Sequence, residues 1–154
     1  MSLAVGDEAP DFTLAGVDRG ERADYTLSSF RGTPVVLVFY PGDNTPVCTR
    51  QLNQYTADID RFAEVGAQVL ALSPQSVDSH EGFSGAQGGF GFPLLADEDK
   101  AVGAAYGIIG PLGFYRRSVF VIDGDGRIAY IHRAVAGMTF RPTDQLVDAV
   151  KGAA

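Results

Sequence analysis

The feature that most constrains the fold is the run from Val35 to Tyr40, which contains only β-branched, aliphatic and aromatic residues. A short continuous apolar run between turn signals is typical of a strand that is buried on both faces in the middle of a sheet. Pro41-Gly42 ends the run, because proline has no N–H for the ladder and glycine favours a turn. We therefore expect a central strand here.

A helix is predicted directly after this turn. Thr45 is a residue type that caps helices, and Pro46 suits the first helical position, where a missing N–H costs nothing. The Thr45 hydroxyl is then expected to face the backbone N–H of Cys48. One apolar stripe at helical spacing follows along the helix: Cys48, Leu52, Tyr55, Ile59 and Phe62.

Cys48 is the only cysteine of the chain and falls in the first turn of this helix. The N–H groups and the positive dipole end of a helix N-terminus stabilise a thiolate. The alternative is a small buried side chain that only fills the apolar stripe. The strand-loop-helix placement, Pro41 and the nearby Thr45 hydroxyl favour a reactive thiol.

The rest of the chain alternates strands with helices and ends in a hairpin and a helix. Strands are predicted at 11–15, 67–73, 94–95, 117–123 and 127–132, and helices at 76–86, 97–106 and from Pro142 or Thr143 onward. Asp97, Glu98 and Asp99 are expected to form a solvated helix start. This order predicts an α/β fold in which helices flank a central mixed sheet on both faces, in one domain over residues 1–154.

Charge and composition argue against several classes of function. The net charge of −7 opposes binding to nucleic acid or to an anionic membrane surface. No apolar run is long enough to span a membrane, and the N-terminus lacks a signal-peptide pattern. One cysteine cannot form an internal disulfide. We therefore expect a cytoplasmic protein. His80 and His132 are far apart, and no nucleotide-binding glycine pattern occurs, so we expect neither a metal nor a cofactor.

The pattern Pro41-x-x-x-Thr45-x-x-Cys48 resembles the active-site motif of the peroxiredoxins, which are thiol peroxidases with a thioredoxin-like fold. The resemblance extends from Val5 to Asp123. It implies that Cys48 attacks the peroxide as a thiolate and that the Thr45 hydroxyl is directed at the sulfur and the peroxide. It also implies that Pro41 shields the sulfur from bulk water.

The family's fourth position is an arginine on a later strand, which the resemblance places at Arg117, three residues before Phe120. A guanidinium beside the sulfur would favour the thiolate and offer forked donors to the peroxide oxygens. The neighbouring Arg116 is the alternative.

Three positions depart from the pattern of the family. Gln51 stands where many members have a glutamate that orients the arginine, so the positioning of Arg117 is left open. Val47 stands where the Q-type (bacterioferritin-comigratory) branch usually has glycine. Asn53 stands where many Q-type members carry their resolving cysteine. We predict a Q-type-like peroxiredoxin without a resolving cysteine.

The resemblance implies that such a protein reduces hydrogen peroxide and small organic hydroperoxides through a Cys48 sulfenic acid. An external thiol would recycle it: thioredoxin, a glutaredoxin-like protein or a low-molecular-weight thiol. The expected state is a monomer or a weak homodimer. The alternative function is a peroxide-sensing relay that passes oxidation on to a partner protein.

Overall fold

The computed structural model describes residues 3–133 and 140–153. Within this part, seven strands form one sheet: β1 (Thr13–Asp18), β2 (Glu21–Thr26), β3 (Val35–Phe39), β4 (Gln68–Ser73), β5 (Leu94–Ala96), β6 (Ser118–Ile122) and β7 (Ile128–Arg133). Its helices are α1 (Pro46–Ala57), α2 (Ile59–Glu64), α3 (Val77–Ala86), α4 (Ala101–Ala105) and α5 (Thr143–Ala153), with a 3₁₀ turn at Leu27–Phe30.

The sheet is mixed and has the strand order β2-β1-β5-β4-β3-β6-β7. β3, β4 and β5 run parallel, whereas β6 pairs antiparallel with β3 and with β7. All five residues of β3 are buried, as the apolar run predicts. The central position of β3 is therefore confirmed.

Alternate residues of the inner strands pack into two separate cores, one on each face of the sheet. Val36, Val38 and Tyr40 belong to the core that α1, α2, α3 and α5 cover. Val35, Leu37 and Phe39 belong to the opposite core, which includes Val102 of α4 and Leu27 of the 3₁₀ turn. The prediction of an α/β fold with helices on both faces is confirmed.

The predicted stripe from Cys48 to Phe62 spans two helices rather than one. α1 stops at Ala57 and α2 starts at Ile59, because Asp58 leaves the regular helix at φ −100° and ψ 15°. The Asp58 carboxylate accepts hydrogen bonds from Gln54 and from Thr143 at the start of α5, and these bonds lower its pKa. The stripe still faces the core across this break, and only Ile59 in it is partly exposed.

Two further expectations are wrong. Asp97 is not solvated: it is completely buried and accepts hydrogen bonds from the N–H groups of Val102 and Gly103 and from the Tyr115 hydroxyl. The helix expected from residue 97 therefore begins only at Ala101. The strand β2 is absent from the sequence prediction, because this mostly exposed edge strand has no apolar alternation.

Candidate active site

The turn after β3 delivers Cys48 to the start of α1. The Tyr40 N–H still donates to the carbonyl of Leu72 on β4, at 3.0 Å, and the backbone then leaves the sheet at Pro41. Thr45 occupies the N-cap position in an extended conformation, and Pro46 is the first helical residue. Cys48 lies in the first turn with 0% of its side chain exposed. The predicted strand-loop-helix placement of the thiol is confirmed.

The Thr45 side chain does not cap the helix as expected. Its hydroxyl donates to the carbonyl of Gly42 at 3.1 Å and accepts no hydrogen bond from the first turn of α1. The carbonyl of Thr45 accepts from the N–H and the hydroxyl of Thr49, which closes that turn. Thr45 is exposed, whereas Cys48 is buried.

Arg117 reaches the sulfur from the neighbouring strand. β6 pairs antiparallel with β3, and Ser118 lies opposite Phe39, so the residue just before β6 lies beside the end of β3. The side chain of Arg117 is 3% exposed, and its Nη2 donates to the Cys48 Sγ at 3.1 Å. Arg116 instead packs its side chain near Gly110 and is only partly buried. The structure therefore brings Arg117, not Arg116, to Cys48.

Gln51 holds the guanidinium from the other side. It lies about one helical turn after Cys48, is completely buried, and its Oε1 accepts a hydrogen bond from Arg117 Nη1. Its Nε2 donates to the Tyr55 hydroxyl at 3.4 Å, which in turn donates to the carbonyl of Arg141 at 2.6 Å. Burial raises the pKa of Tyr55 to about 12, so this hydroxyl remains a donor at neutral pH.

This arrangement resolves how a neutral side chain can orient the arginine. One nitrogen of Arg117 is held by the Gln51 amide and another points at the sulfur, so the planar fork is fixed in place. Since Gln51 adds no negative charge, it does not oppose the attraction between the guanidinium and a Cys48 thiolate. The three-residue spacing from Cys48 to Gln51 is the sequence signal for this contact.

Pro41 precedes Cys48 in the loop, and Asn53 follows it on α1. Pro41 is partly buried and directly follows Tyr40 at the end of the central strand. Asn53 lies on α1 and donates from Nδ2 to Gln87 Oε1 at 3.0 Å, after the end of α3. The position expected for a resolving thiol thus carries an amide that tethers two helices.

Across residues 3–133 and 140–153, no three His, Cys, Asp or Glu side chains come together as metal ligands would. None of the helices in these ranges is long and apolar enough to cross a membrane.

Comparison with known proteins agrees with this geometry. The model of the AhpC/TSA family matches residues 5–131. A putative peroxiredoxin of Mycobacterium tuberculosis (strain ATCC 25618 / H37Rv) is 37% identical over 133 residues, which are 82% of this chain and 82% of that protein. Chloroplastic peroxiredoxin Q of Oryza sativa subsp. japonica is 36% identical over 132 residues, covering 84% of this chain and 59% of that protein.

The likeness to solved peroxiredoxin structures also extends over most of the chain. The crystal structure of the reduced 2-Cys peroxiredoxin of Plasmodium vivax aligns with a TM-score of 0.89 and 26% identity, over 96% of this chain and 80% of that chain. Fold and site thus define a thiol peroxidase on a thioredoxin-like scaffold. The chain belongs to the AhpC/TSA family and is a peroxiredoxin with Q-type relatives. Its single cysteine fits a member that lacks a resolving cysteine and uses a one-cysteine mechanism.

The exposed Thr45 hydroxyl leads to a first prediction. Thr45→Val should slow the reaction of Cys48 with peroxide by about tenfold or more, because it removes the hydroxyl that the family resemblance directs at the peroxide oxygens. Thr45→Ser keeps the hydroxyl and should stay within a few-fold of the wild type. Stopped-flow measurement of the second-order rate constant compares the two variants. Equal losses in both, although only Thr45→Ser keeps a hydroxyl, would contradict a specific role of that hydroxyl.

Proposed function

We propose that this peroxiredoxin reduces hydrogen peroxide and small organic hydroperoxides in a one-cysteine cycle, with Cys48, Thr45, Arg117 and Pro41 as its catalytic residues. The observation that carries the proposal is the hydrogen bond from Arg117 Nη2 to the Cys48 Sγ, formed where both groups are almost completely buried. In a buried site that excludes water, a guanidinium stabilises a thiolate far more than it would in bulk water. A sulfur with 0% exposure also favours small peroxides over bulky ones.

In the first step, the Cys48 thiolate attacks one peroxide oxygen. A sulfur–oxygen bond forms, the O–O bond breaks, and the departing oxygen takes a proton to leave as water or as an alcohol. Sulfur is oxidised to the sulfenic acid while the peroxide is reduced. Arg117 supports the charge that moves from sulfur to the departing oxygen, and Thr45 contributes its hydroxyl at the mouth of the site. Pro41 keeps bulk water away from the sulfur.

In the second stage an external thiol returns Cys48 to the thiol. Its sulfur attacks the sulfenic sulfur, water leaves and a mixed disulfide forms; a second thiol then releases Cys48. Thioredoxin, a glutaredoxin-like protein and a low-molecular-weight thiol are the candidates for the reductant.

Because such reductants are maintained in the cytoplasm, we place the protein there. We further propose that residues 1–154 form a single domain and that the protein is a monomer or a weak homodimer. The comparisons give no support to the alternative of a peroxide-sensing relay.

Steady-state peroxide consumption tests this cycle. We expect the wild type to consume many equivalents of hydrogen peroxide or a small alkyl hydroperoxide when one of the three reductant classes is supplied. Cys48→Ser should consume none above background under the same conditions. Failure of all three reductants to support more than one equivalent of peroxide per chain would contradict the proposed cycle.

A further inference from the structure

A second buried polar cluster lies behind the active-site loop and is not part of the chemistry described so far. His80 of α3 and Asp43 of the loop are both buried, and His80 Nδ1 lies 2.8 Å from Asp43 Oδ2 and 3.0 Å from Oδ1. The other ring nitrogen, Nε2, lies 2.9 Å from the carbonyl of Leu95 on β5. The Tyr40 and Ser79 hydroxyls donate to the same Asp43 carboxylate, each at 2.7 Å.

Both ring nitrogens of His80 take part in hydrogen bonds. The Leu95 carbonyl can only accept, so Nε2 of His80 carries a hydrogen and donates it. A bare Nδ1 lone pair facing a bare carboxylate would be repulsive, so the 2.8 Å contact needs a proton between Nδ1 and Asp43. Burial and the charge of Asp43 raise the pKa of Tyr40 well above its usual value, which keeps its hydroxyl a donor. His80 therefore links α3, β5 and the loop through hydrogen bonds at both ring nitrogens.

The cluster acts on the peptide group that joins Gly42 to Asp43. The N–H of this peptide donates to Gln75 Oε1, and its carbonyl accepts the hydrogen bond of the Thr45 hydroxyl at 3.1 Å. The two ends of one rigid peptide plane are thus held by Gln75 and by Thr45, and the Asp43 side chain that His80 holds is attached directly beside this plane. A shift of Asp43 would disturb this plane and with it the hydrogen bond that orients the Thr45 hydroxyl.

We infer that His80 is a positioning residue of the peroxidase site, which acts through Asp43 and the Gly42–Asp43 peptide on the hydroxyl of Thr45. His80 itself touches neither the sulfur nor the peroxide. The inference rests on the proposed function, since it needs the Thr45 hydroxyl to take part in the peroxide step.

Two amide substitutions at His80 separate positioning from simple packing. The amide nitrogen of asparagine falls near the place of Nδ1 and can donate to Asp43, whereas that of glutamine falls near Nε2 and can donate to Leu95. Both remove the ring. We expect His80→Asn to react with peroxide within about threefold of the wild type and His80→Gln to react about tenfold more slowly. The alkylation rate of Cys48 by iodoacetamide, which does not use the Thr45 hydroxyl, should not fall in either variant.

A double substitution tests the route through Thr45. In a Thr45→Val background, His80→Gln should cause no further loss, because the hydroxyl that it displaces is already gone. Fully additive losses, or equal peroxide rates in His80→Asn and His80→Gln, would overturn the inference. If neither amide variant folds, Asp43→Asn replaces them, because it alters the side chain through which His80 acts. It should lower the peroxide rate constant in the otherwise wild-type chain but not in the Thr45→Val chain.

The same set of variants separates this inference from the proposed function. If Thr45→Val alone keeps the wild-type peroxide rate, the proposed role of Thr45 fails, and the inference about His80 fails with it. If Thr45→Val loses rate while His80→Gln does not, only the role of His80 is overturned.

Discussion

Replacing Arg117 with alanine is expected to slow the reaction of Cys48 with peroxide by about a hundredfold or more, the usual cost of removing one preorganised donor from a charged transition state. Arg117 donates to the Cys48 Sγ from an almost completely buried position, where its charge stabilises a thiolate more than it would in water. Stopped-flow kinetics under pseudo-first-order conditions measure the rate constant. Alkylation of the thiol should slow as well, because the thiolate loses the same partner.

Two control variants make this test specific. Arg116→Ala removes the same charge one residue earlier, where the side chain is directed toward Gly110, and should change the rate only a few-fold. Arg117→Lys keeps a positive charge but cannot donate to Gln51 and Cys48 as a planar fork, so it should fall between the wild type and Arg117→Ala. Equal losses in Arg116→Ala and Arg117→Ala would contradict the assignment of Arg117.

Peroxide in excess, without an added thiol, is expected to end all activity of the wild type after one turnover. The chain holds one cysteine, and Asn53 occupies the position where a second would be expected. The sulfenic acid therefore cannot be protected by an internal disulfide and proceeds to the sulfinic acid with further peroxide. Peroxide consumption should stop near one to two equivalents per chain, and later addition of thiol should not restore it.

The control is the order of addition. Thiol supplied before the excess peroxide should intercept the sulfenic acid and preserve turnover. Full recovery by thiol after prolonged exposure to excess peroxide would contradict irreversible oxidation of an unprotected Cys48.

The sequence predicts the central part of the site because it is encoded locally. Val35–Phe39, Pro41, Thr45 and Cys48 lie in one continuous segment whose apolar run, turn and helix start are each recognisable alone. Arg117 is remote in the chain, and only the family resemblance identifies it. Antiparallel pairing of β6 with β3 then explains why the residue before Ser118 reaches the sulfur.

The remaining features depend on contacts that no local pattern contains. Thr45 has the residue type and position of a helix cap, yet its hydroxyl bonds to Gly42, because the loop places that carbonyl within reach. Asp97 looks solvated in an acidic cluster, but packing against Tyr115 buries it. The Asp43–His80 pair joins two segments that only the sheet brings together. Side-chain hydrogen bonds between distant segments are set by tertiary packing, which sequence spacing does not reveal.

The most direct test of the account is the intact mass of the protein after one equivalent of hydrogen peroxide. A one-cysteine mechanism predicts a monomeric chain one oxygen heavier, whose Cys48 is trapped by a sulfenate-specific reagent and converted to a mixed disulfide by added thiol. Because Cys48 has 0% exposure, two copies cannot join their sulfurs without local unfolding. A Cys48–Cys48 dimer as the main product, or an unchanged mass, would contradict the account.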